Sequence, residues 1–366
     1  MAEEARRLAG ETAQRKIDHV RINLEEDVAS ASGTGLDDWH FEHRALPEID
    51  LAQVDVTGAL FGRPLSAPLL ISSMTGGAQG LSTINARLAE AAQARGIAMG
   101  VGSQRAALEA EGVDPSFDIR ALAPHVPLLA NLGAVQLNYG YGIDEARRAV
   151  DMVEADALIL HLNALQEAVQ PEGDTRFAGL LAHIETLAAQ LEVPVVAKEV
   201  GWGISAADAR RLADAGVAAI DVAGAGGTSW SEVEKHRAPT AADRAVAAAF
   251  QGWGMPTATS ILEVRRAAPE VLVFASGGLR DGIDVAKSLA LGARLAGLAG
   301  PFLAAAQSST EAVVEAIDIL RRTLRIAMFA AGIPDLATLH GTTALRRRAG
   351  HIGDGRGLTP SQELDA

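Results

Sequence analysis

The sequence predicts an α/β protein built on a (β/α)8 TIM barrel, with an irregular N-terminal extension and a C-terminal helix. Eight short apolar runs recur along the 366 residues, and segments with apolar residues at helical spacing separate them. Strands alternating with helices give a parallel sheet, and eight such units give closure. Five runs lead into small, glycine-rich or polar strings. These are Ser72-Ser73-Met74-Thr75-Gly76-Gly77, Gly100-Val101-Gly102-Ser103, Lys198-Glu199-Val200-Gly201, Gly224-Ala225-Gly226-Gly227-Thr228 and Ala275-Ser276-Gly277-Gly278. A ligand gathered from many strand ends is what this barrel provides.

Each element follows from its pattern. Strands are expected at 69–71, 97–100, 128–130, 158–160, 195–198, 219–222, 271–275 and 295–298. Helical spacing shows in Ile84, Leu88 and Ala91, and again in Leu180, Ile184 and Leu187. A long helix is expected over 310–331, and the glycine-rich, polar segment from Gly350 onward reads as frayed. Residues 1–65 stand outside the alternation. Three regions result: an extension over 1–65, a barrel over 66–335 and a tail over 336–366. Hydrophobic residues make up 48 % and aromatics 4 %, so Ala, Leu and Val fill the core. Such a core suits parallel strands buried on both faces.

Composition also excludes function classes. With no cysteine, disulfides, thiolate metal sites, cysteine-ligated clusters and a cysteine nucleophile are ruled out. No apolar run approaches the ~20 residues of a membrane span, and the N-terminus lacks the apolar core of a secretory signal. A soluble cytoplasmic protein is expected. The net charge of −14 argues against nucleic acid and anionic membrane as partners. Within this acidic chain Arg15-Lys16-Ile17-Asp18-His19-Val20-Arg21 is a local basic cluster.

Chemistry in such barrels sits at the C-terminal strand ends. Ser276-Gly277-Gly278-Leu279-Arg280 and Gly297-Leu298-Ala299-Gly300 follow strands 7 and 8, where a helix N-terminus commonly takes phosphate. Lys198 ends a strand that is expected to be buried. It is therefore paired with a carboxylate such as Asp221 or used, either as a donor to an electron-rich ring or as a Schiff-base amine. His161, Asn163, Gln166 and Glu167 cluster after strand 4. His161 and Asn163 share a face if the strand continues, and amides around a histidine suit a substrate pocket. Glu167 is either a solvated helix residue or a Mg²⁺ ligand, since Mg²⁺ favours one or two carboxylates plus substrate phosphate oxygens. Arg15 and Lys16 are either a solvated helix face or a phosphate clamp.

In register, these strings resemble the type 2, flavin-dependent isopentenyl-diphosphate isomerases, from Arg15 to about Ile333. The matching strings are Arg15-Lys16-x-x-His19, Met74-Thr75-Gly76-Gly77, Gly102-Ser103-x-Arg105, Asn131-Leu132-Gly133, His161-x-Asn163-x-x-Gln166-Glu167, Lys198-Glu199-Val200-Gly201, Gly226-Gly227-Thr228-Ser229-Trp230 and Ala275-Ser276-Gly277-Gly278. The resemblance implies an FMN barrel that interconverts isopentenyl and dimethylallyl diphosphate. Ser73, Met74, Thr75, Ser103, Asn131, Lys198 and Thr228 would contact the flavin, and Gly277, Gly278, Leu279, Ala299 and Gly300 its phosphate. Arg15, Lys16, Ser103, Arg105, His161, Asn163 and Gln166 would hold the substrate, and Glu167 would hold Mg²⁺ on its diphosphate. Ala223 departs from the serine that some members carry, which removes one hydroxyl contact. Reduced FMN is the implied acid/base, with Lys198 near its N1/O2 edge and His161 and Gln166 orienting the alkene. NADPH then serves only to reduce the flavin. The resemblance further implies a homo-oligomer, a tetramer or octamer, in which the extension completes its own site or a neighbour's.

The rival reading is an FMN-dependent 2-hydroxy-acid oxidoreductase. It would use the same phosphate loops and strand 5 lysine. It also needs a histidine base and arginines gripping a carboxylate near strand 7; Arg280 is there, but no histidine is close to it in sequence. A third reading is a non-catalytic flavoprotein, which leaves the strand 4 cluster unexplained.

Overall fold

A computed structural model describes residues 15–76, 81–109 and 115–348. Eight parallel strands close into a barrel: β1 (Leu69–Ile71), β2 (Ala98–Gly100), β3 (Leu128–Gly133), β4 (Ala157–Leu162), β5 (Val195–Glu199), β6 (Ala219–Asp221), β7 (Leu272–Ala275) and β8 (Leu295–Leu298). Closure runs through β8 and β1, where Leu298 pairs with Ile71. The (β/α)8 expectation therefore holds, and all eight strands fall where the apolar runs placed them. β3 and β4 continue three and two residues past the expected ends at 130 and 160, because Gly133 still pairs with His161.

Period-two alternation sorts each strand into an inner and an outer face. Leu70, Ala98, Leu129, Ile159, Val196, Ala219, Phe274 and Leu295 fill the barrel interior. Their neighbours Leu69, Ile71, Met99, Ala130, Leu160, Ala197 and Val273 face the helices in the main core. Two residues further along the inner face come Asn131, His161, Lys198, Asp221 and Ser276. The interior thus changes from apolar to polar at the C-terminal end, which is where the site lies.

The opposite end is plugged by an antiparallel hairpin, Gly58–Leu60 with Arg63–Leu65. Leu60 and Leu65 enter the interior cluster, and Phe61 lies 6.4 Å from Phe274 between ring centroids. The rest of the extension wraps upward. Trp39–Phe41 pairs antiparallel with Leu345–Arg347. Two backbone bonds tie residues 28–30 to the loop after β6, from Ser229 N–H to Val28 O and from Ser30 N–H to Gly227 O, both 2.8 Å. The chain is helical over 15–25. The long C-terminal helix spans Thr310–Ala330 and packs on the helix Ser82–Arg95. Within the expected tail, Leu336–His340 forms a short helix before the strand Leu345–Arg347. The glycine-rich segment from Gly350 lies outside the described residues.

Candidate active site

Two adjoining cavities open at the C-terminal end of the barrel. The first is polar and lined by Arg15, Lys16, Ser103, Arg105, Asn131, His161, Asn163, Gln166 and Glu167. The second is lined by Thr228, Gly277, Gly278, Leu279, Ala299 and Gly300. Ser73, Met74 and Lys198 line both. Of the site residues expected from sequence, Thr75 alone lines neither cavity. It is buried, its hydroxyl donates to Asn85, and its carbonyl accepts from Gly102 N–H at 2.7 Å.

The shared wall comes from inward-facing strand residues. His161 pairs in register with Lys198, and its Nδ1 lies 2.7 Å from Asn131 Oδ1. Burial, and then the cations Lys198, Lys16 and Arg15, push the His161 imidazole down to about 4. It is therefore neutral at physiological pH, a hydrogen-bonding group rather than a charge. Lys198 Nζ sits 3.4 Å from the buried Asp221 carboxylate and donates to Glu199 O at 2.9 Å. The ion pair weighed for it from sequence is thus present. The ammonium still borders both cavities, so pairing and use are compatible. A buried lysine paired with a carboxylate sets its amine at a fixed place beside any bound ring.

The polar cavity carries an excess of cationic side chains. Arg15, Lys16, Arg105 and Lys198 line it against one carboxylate, Glu167, among the described residues. Lys16 Nζ donates to Gly76 O at 2.7 Å and Ser103 O at 2.5 Å, which ties the 15–25 helix to the loops after β1 and β2. The extension therefore reaches the barrel of its own chain. Glu167 accepts from Asn163 Nδ2 at 2.8 Å, Gln170 Nε2 at 3.2 Å and Asp174 N–H at 2.7 Å. Burial raises its carboxyl above the usual range, opposed by the Asp174 N–H and the Asn163 amide. Asn163 Oδ1 is buried with no hydrogen-bond partner, an acceptor left open. No group of three His, Asp or Glu side chains suited to a metal occurs among the described residues. A cation here would rest on Glu167 and on oxygens of the bound anion, which is the habit of Mg²⁺.

The second cavity is walled by glycine turns. Gly277 and Gly278 have φ of +99° and +78°. A Cβ on Gly278 would fall on the Gly226 carbonyl, and one on Gly277 on Gly224 O. These turns keep the loops after β6 and β7 close enough to leave a slot. Of the two helices that follow β7 and β8, Gly282–Ala290 is capped, because Asp281 accepts from Ile283 and Asp284 N–H. The helix Gly300–Ser308 starts from Ala299, which offers no side-chain cap. Pro301 has no N–H and Leu303 N–H donates to Ala299 O at 3.0 Å, so a phosphate at this uncapped turn would have to draw on the N–H groups of Gly300 and Phe302. The Ser72 and Ser73 hydroxyls are buried with no hydrogen-bond partner. Unsatisfied buried hydroxyls beside a cavity fit a bound polar ring. The residues present thus fit FMN.

Several contributors were not singled out from sequence. His19 lines both cavities, sits edge-on to Trp230 with ring centroids 5.1 Å apart, and lies 3.0 Å from Glu234 Oε1. Gln166 Nε2 donates to the same oxygen at 2.9 Å, and Arg237 to Oε2 at 2.5 Å. Burial works against ionisation of Glu234, but His19, Arg237 and Gln166 outweigh it and hold its carboxyl at about 2. Arg105 is held by Glu109 at 2.8 Å and Asp174 at 2.5 Å. Glu199 Oε2 accepts from the N–H groups of Val200, Gly201 and Trp202. Only His19 carried a signal, its spacing from Arg15 and Lys16 along one helix face.

Comparison with known proteins places this geometry. Residues 149–346 match the FMN-dependent dehydrogenase family. The chain is 58 % identical over 337 residues to an isopentenyl-diphosphate delta-isomerase of Stutzerimonas stutzeri, which covers 92 % of this chain and 97 % of the relative. It is 53 % identical over 340 residues to one from a Nostoc species, covering 93 % and 97 %. A solved mandelate oxidase variant carrying an FMN adduct shares the fold at a TM-score of 0.61 and 22 % identity, over 88 % of this chain and 94 % of that one. At the identities found over nearly full length, the chain belongs to the isopentenyl-diphosphate delta-isomerases, within the FMN-dependent dehydrogenase family.

Proposed function

We propose that this chain interconverts isopentenyl and dimethylallyl diphosphate and depends on FMN. The observation that carries it is the joining of two different cavities at Ser73, Met74 and Lys198. One is cationic with a single carboxylate among the described residues, and the other is a glycine-walled slot. A diphosphate fits the first, a flavin the second, and the wall between them is where substrate and ring would meet.

The roles follow from position. Arg15, Lys16 and Arg105 neutralise the diphosphate, and Glu167 holds Mg²⁺ against it. The neutral His161 and Gln166 orient the alkene by hydrogen bonding, and Asn163 presents its open oxygen to the substrate. Asn131 fixes the His161 ring. Lys198 places a fixed positive charge at the flavin edge. Ser73, Met74, Ser103 and Thr228 line its ring region, while Gly277, Gly278, Leu279, Ala299 and Gly300 surround its phosphate. Moving a double bond requires a proton added at one carbon and one removed at another, with no net electron transfer. Reduced FMN, when bound, supplies that acid/base chemistry. NADPH is the proposed reductant, and a cytoplasmic homo-oligomer the proposed form. No described helix is long and apolar enough to cross a membrane.

The 2-hydroxy-acid oxidoreductase reading is weaker. Arg280, its candidate carboxylate grip, lines the second cavity and not the cationic one, and it is already engaged by Asp37 and Asp284. The likeness to mandelate oxidase is one of fold.

Anaerobic turnover of isopentenyl diphosphate by the purified protein with FMN and Mg²⁺, followed by NMR, tests the proposal. Dimethylallyl diphosphate should form with NADPH or dithionite present and not in matched samples lacking reductant. Flavin-loaded protein that forms no product under reduction would overturn it.

A further inference from the structure

Asp174 makes two different contacts with the polar cavity. Its backbone N–H donates to Glu167 Oε2 at 2.7 Å. Its side chain accepts from Arg105 Nη1 at 2.5 Å and from Gln136 Nε2 at 2.9 Å, both through Oδ2. Arg105, Gln136 and Glu167 all line the cavity. Asp174 itself does not line it, and its side chain is 18 % exposed. It therefore stands behind three lining groups and grips one cation, one amide and one carboxylate of the wall.

We propose that Asp174 is a positioning residue that sets the cation and the carboxylate at one fixed separation for a diphosphate–metal pair. The inference rests on the functional reading above. An arginine side chain has many rotamers, and each one frozen before binding removes an entropic cost from binding. Arg105 is frozen from both sides, by Glu109 on its own helical turn and by Asp174 from the loop after β4. Only the second contact links it to Glu167. Asp174 also needs a close approach of its own loop. A Cβ at Gly173 would land on the Glu167 backbone carbonyl, so this loop sits directly against the helix that carries the carboxylate. A residue there moves Arg105 and Glu167 together or not at all.

The test uses the full-length, FMN-loaded protein and inorganic pyrophosphate as probe, titrated by calorimetry with and without Mg²⁺. Asp174→Asn keeps the backbone N–H and the shape but weakens the grip on Arg105. Asp174→Ala removes the grip. Mg²⁺-dependent pyrophosphate affinity should fall about tenfold in the Ala variant and less in the Asn variant, the size expected of coupled neighbours. In turnover, KM for isopentenyl diphosphate should rise by about the same factor with kcat little changed, because Arg105 touches the diphosphate end only. In an Arg105→Gln background, Asp174→Ala should have little further effect; independent, additive losses would overturn the coupling. Pyrophosphate affinity unchanged in Asp174→Ala while Arg105→Gln weakens it would overturn the proposal and leave the isomerase reading standing. Wild-type protein that binds no pyrophosphate and forms no product would instead overturn that reading. Retained FMN and an unchanged melting temperature confirm that each variant is folded.

Discussion

His161 donates from Nδ1 to Asn131 Oδ1 over 2.7 Å, between adjacent strands β4 and β3. An amide oxygen only accepts, so Nδ1 carries the proton and Nε2 is left as an acceptor. With burial and three nearby cations pushing the ring down to about 4, it stays neutral across the working range. The sign follows. The unfolded ring, near 6.5, takes a proton that the folded ring refuses, so the stability it contributes is present above 6.5 and is lost as pH falls toward 4. The pH profile of kcat/KM should therefore show no limb from His161 between about pH 5 and 8. His161→Gln should lower kcat/KM by about tenfold to a hundredfold, the worth of one or two orienting bonds, without changing the profile's shape. An acid limb near 6.5 in the wild type that vanishes in the variant would refute a neutral imidazole.

Lys198 and Asp221 form a buried pair at 3.4 Å, with Asp221 Oδ2 making no hydrogen bond. Removing the lysine strands a fully buried carboxylate. Lys198→Ala should cost about 3–5 kcal/mol in urea unfolding. The double variant Lys198→Met with Asp221→Asn should recover most of that, since neither partner is then charged. Flavin reduction should stay impaired in the double variant, because the fixed charge beside the ring is gone. A double variant as unstable as the single would show that the pair is not what holds this wall.

Much of this was legible in the sequence, and the reason is periodicity. Apolar runs located all eight strands, and two-residue alternation aligns His161 with Ile159 and Lys198 with Val196 on the inner face. The glycine strings mark where the loops after β6 and β7 approach each other, because backbone close approach needs glycine wherever it occurs. What stayed hidden depends on distant elements meeting. Glu234 reads as one more acid on the charged helix Trp230–Arg237, yet it is fully buried against His19 and Gln166, residues 215 and 68 positions away. Asp174 reads as a loop residue. The hairpin at Gly58–Leu65 was missed because three-residue strands flanking Phe61-Gly62 carry too little alternation to register. Thr75 looks like its neighbours in the string but turns its hydroxyl to Asn85.

Glu199 should behave oppositely to His161. Burial pushes its carboxyl up to about 7, despite three N–H donors and Lys198 nearby. An acid raised above its unfolded value is favoured protonated in the fold. Its stability contribution is full below about 4.5 and is lost as pH rises through 7. Glu199→Gln keeps an acceptor for Val200, Gly201 and Trp202 without the buried charge. It should stabilise the protein by about 1–2 kcal/mol at pH 8, with the gain disappearing near pH 5. Melting curves at both values decide it. A variant less stable than wild type at pH 8 would mean that the ionised carboxylate is needed to hold the loop.

Gly278 and Gly140 separate strain from blockage. Both have positive φ, +78° and +98°. A Cβ on Gly140 meets nothing within 4 Å, whereas one on Gly278 collides with Gly226 and the Thr34 methyl. Alanine at either position bears the same kind of backbone cost, about 1 kcal/mol. Only Gly278→Ala must also push apart the loops after β6 and β7, and these form one wall of the slot. Gly140→Ala should lose about 1 kcal/mol of stability and keep its flavin. Gly278→Ala should retain at least about tenfold less FMN after desalting, because misplacing the wall by a few tenths of an ångström undoes several backbone contacts to phosphate at once. The absorbance ratio at 450 and 280 nm of the two variants reads the difference. Equal flavin content in both would mean that the phosphate lies elsewhere than at this turn.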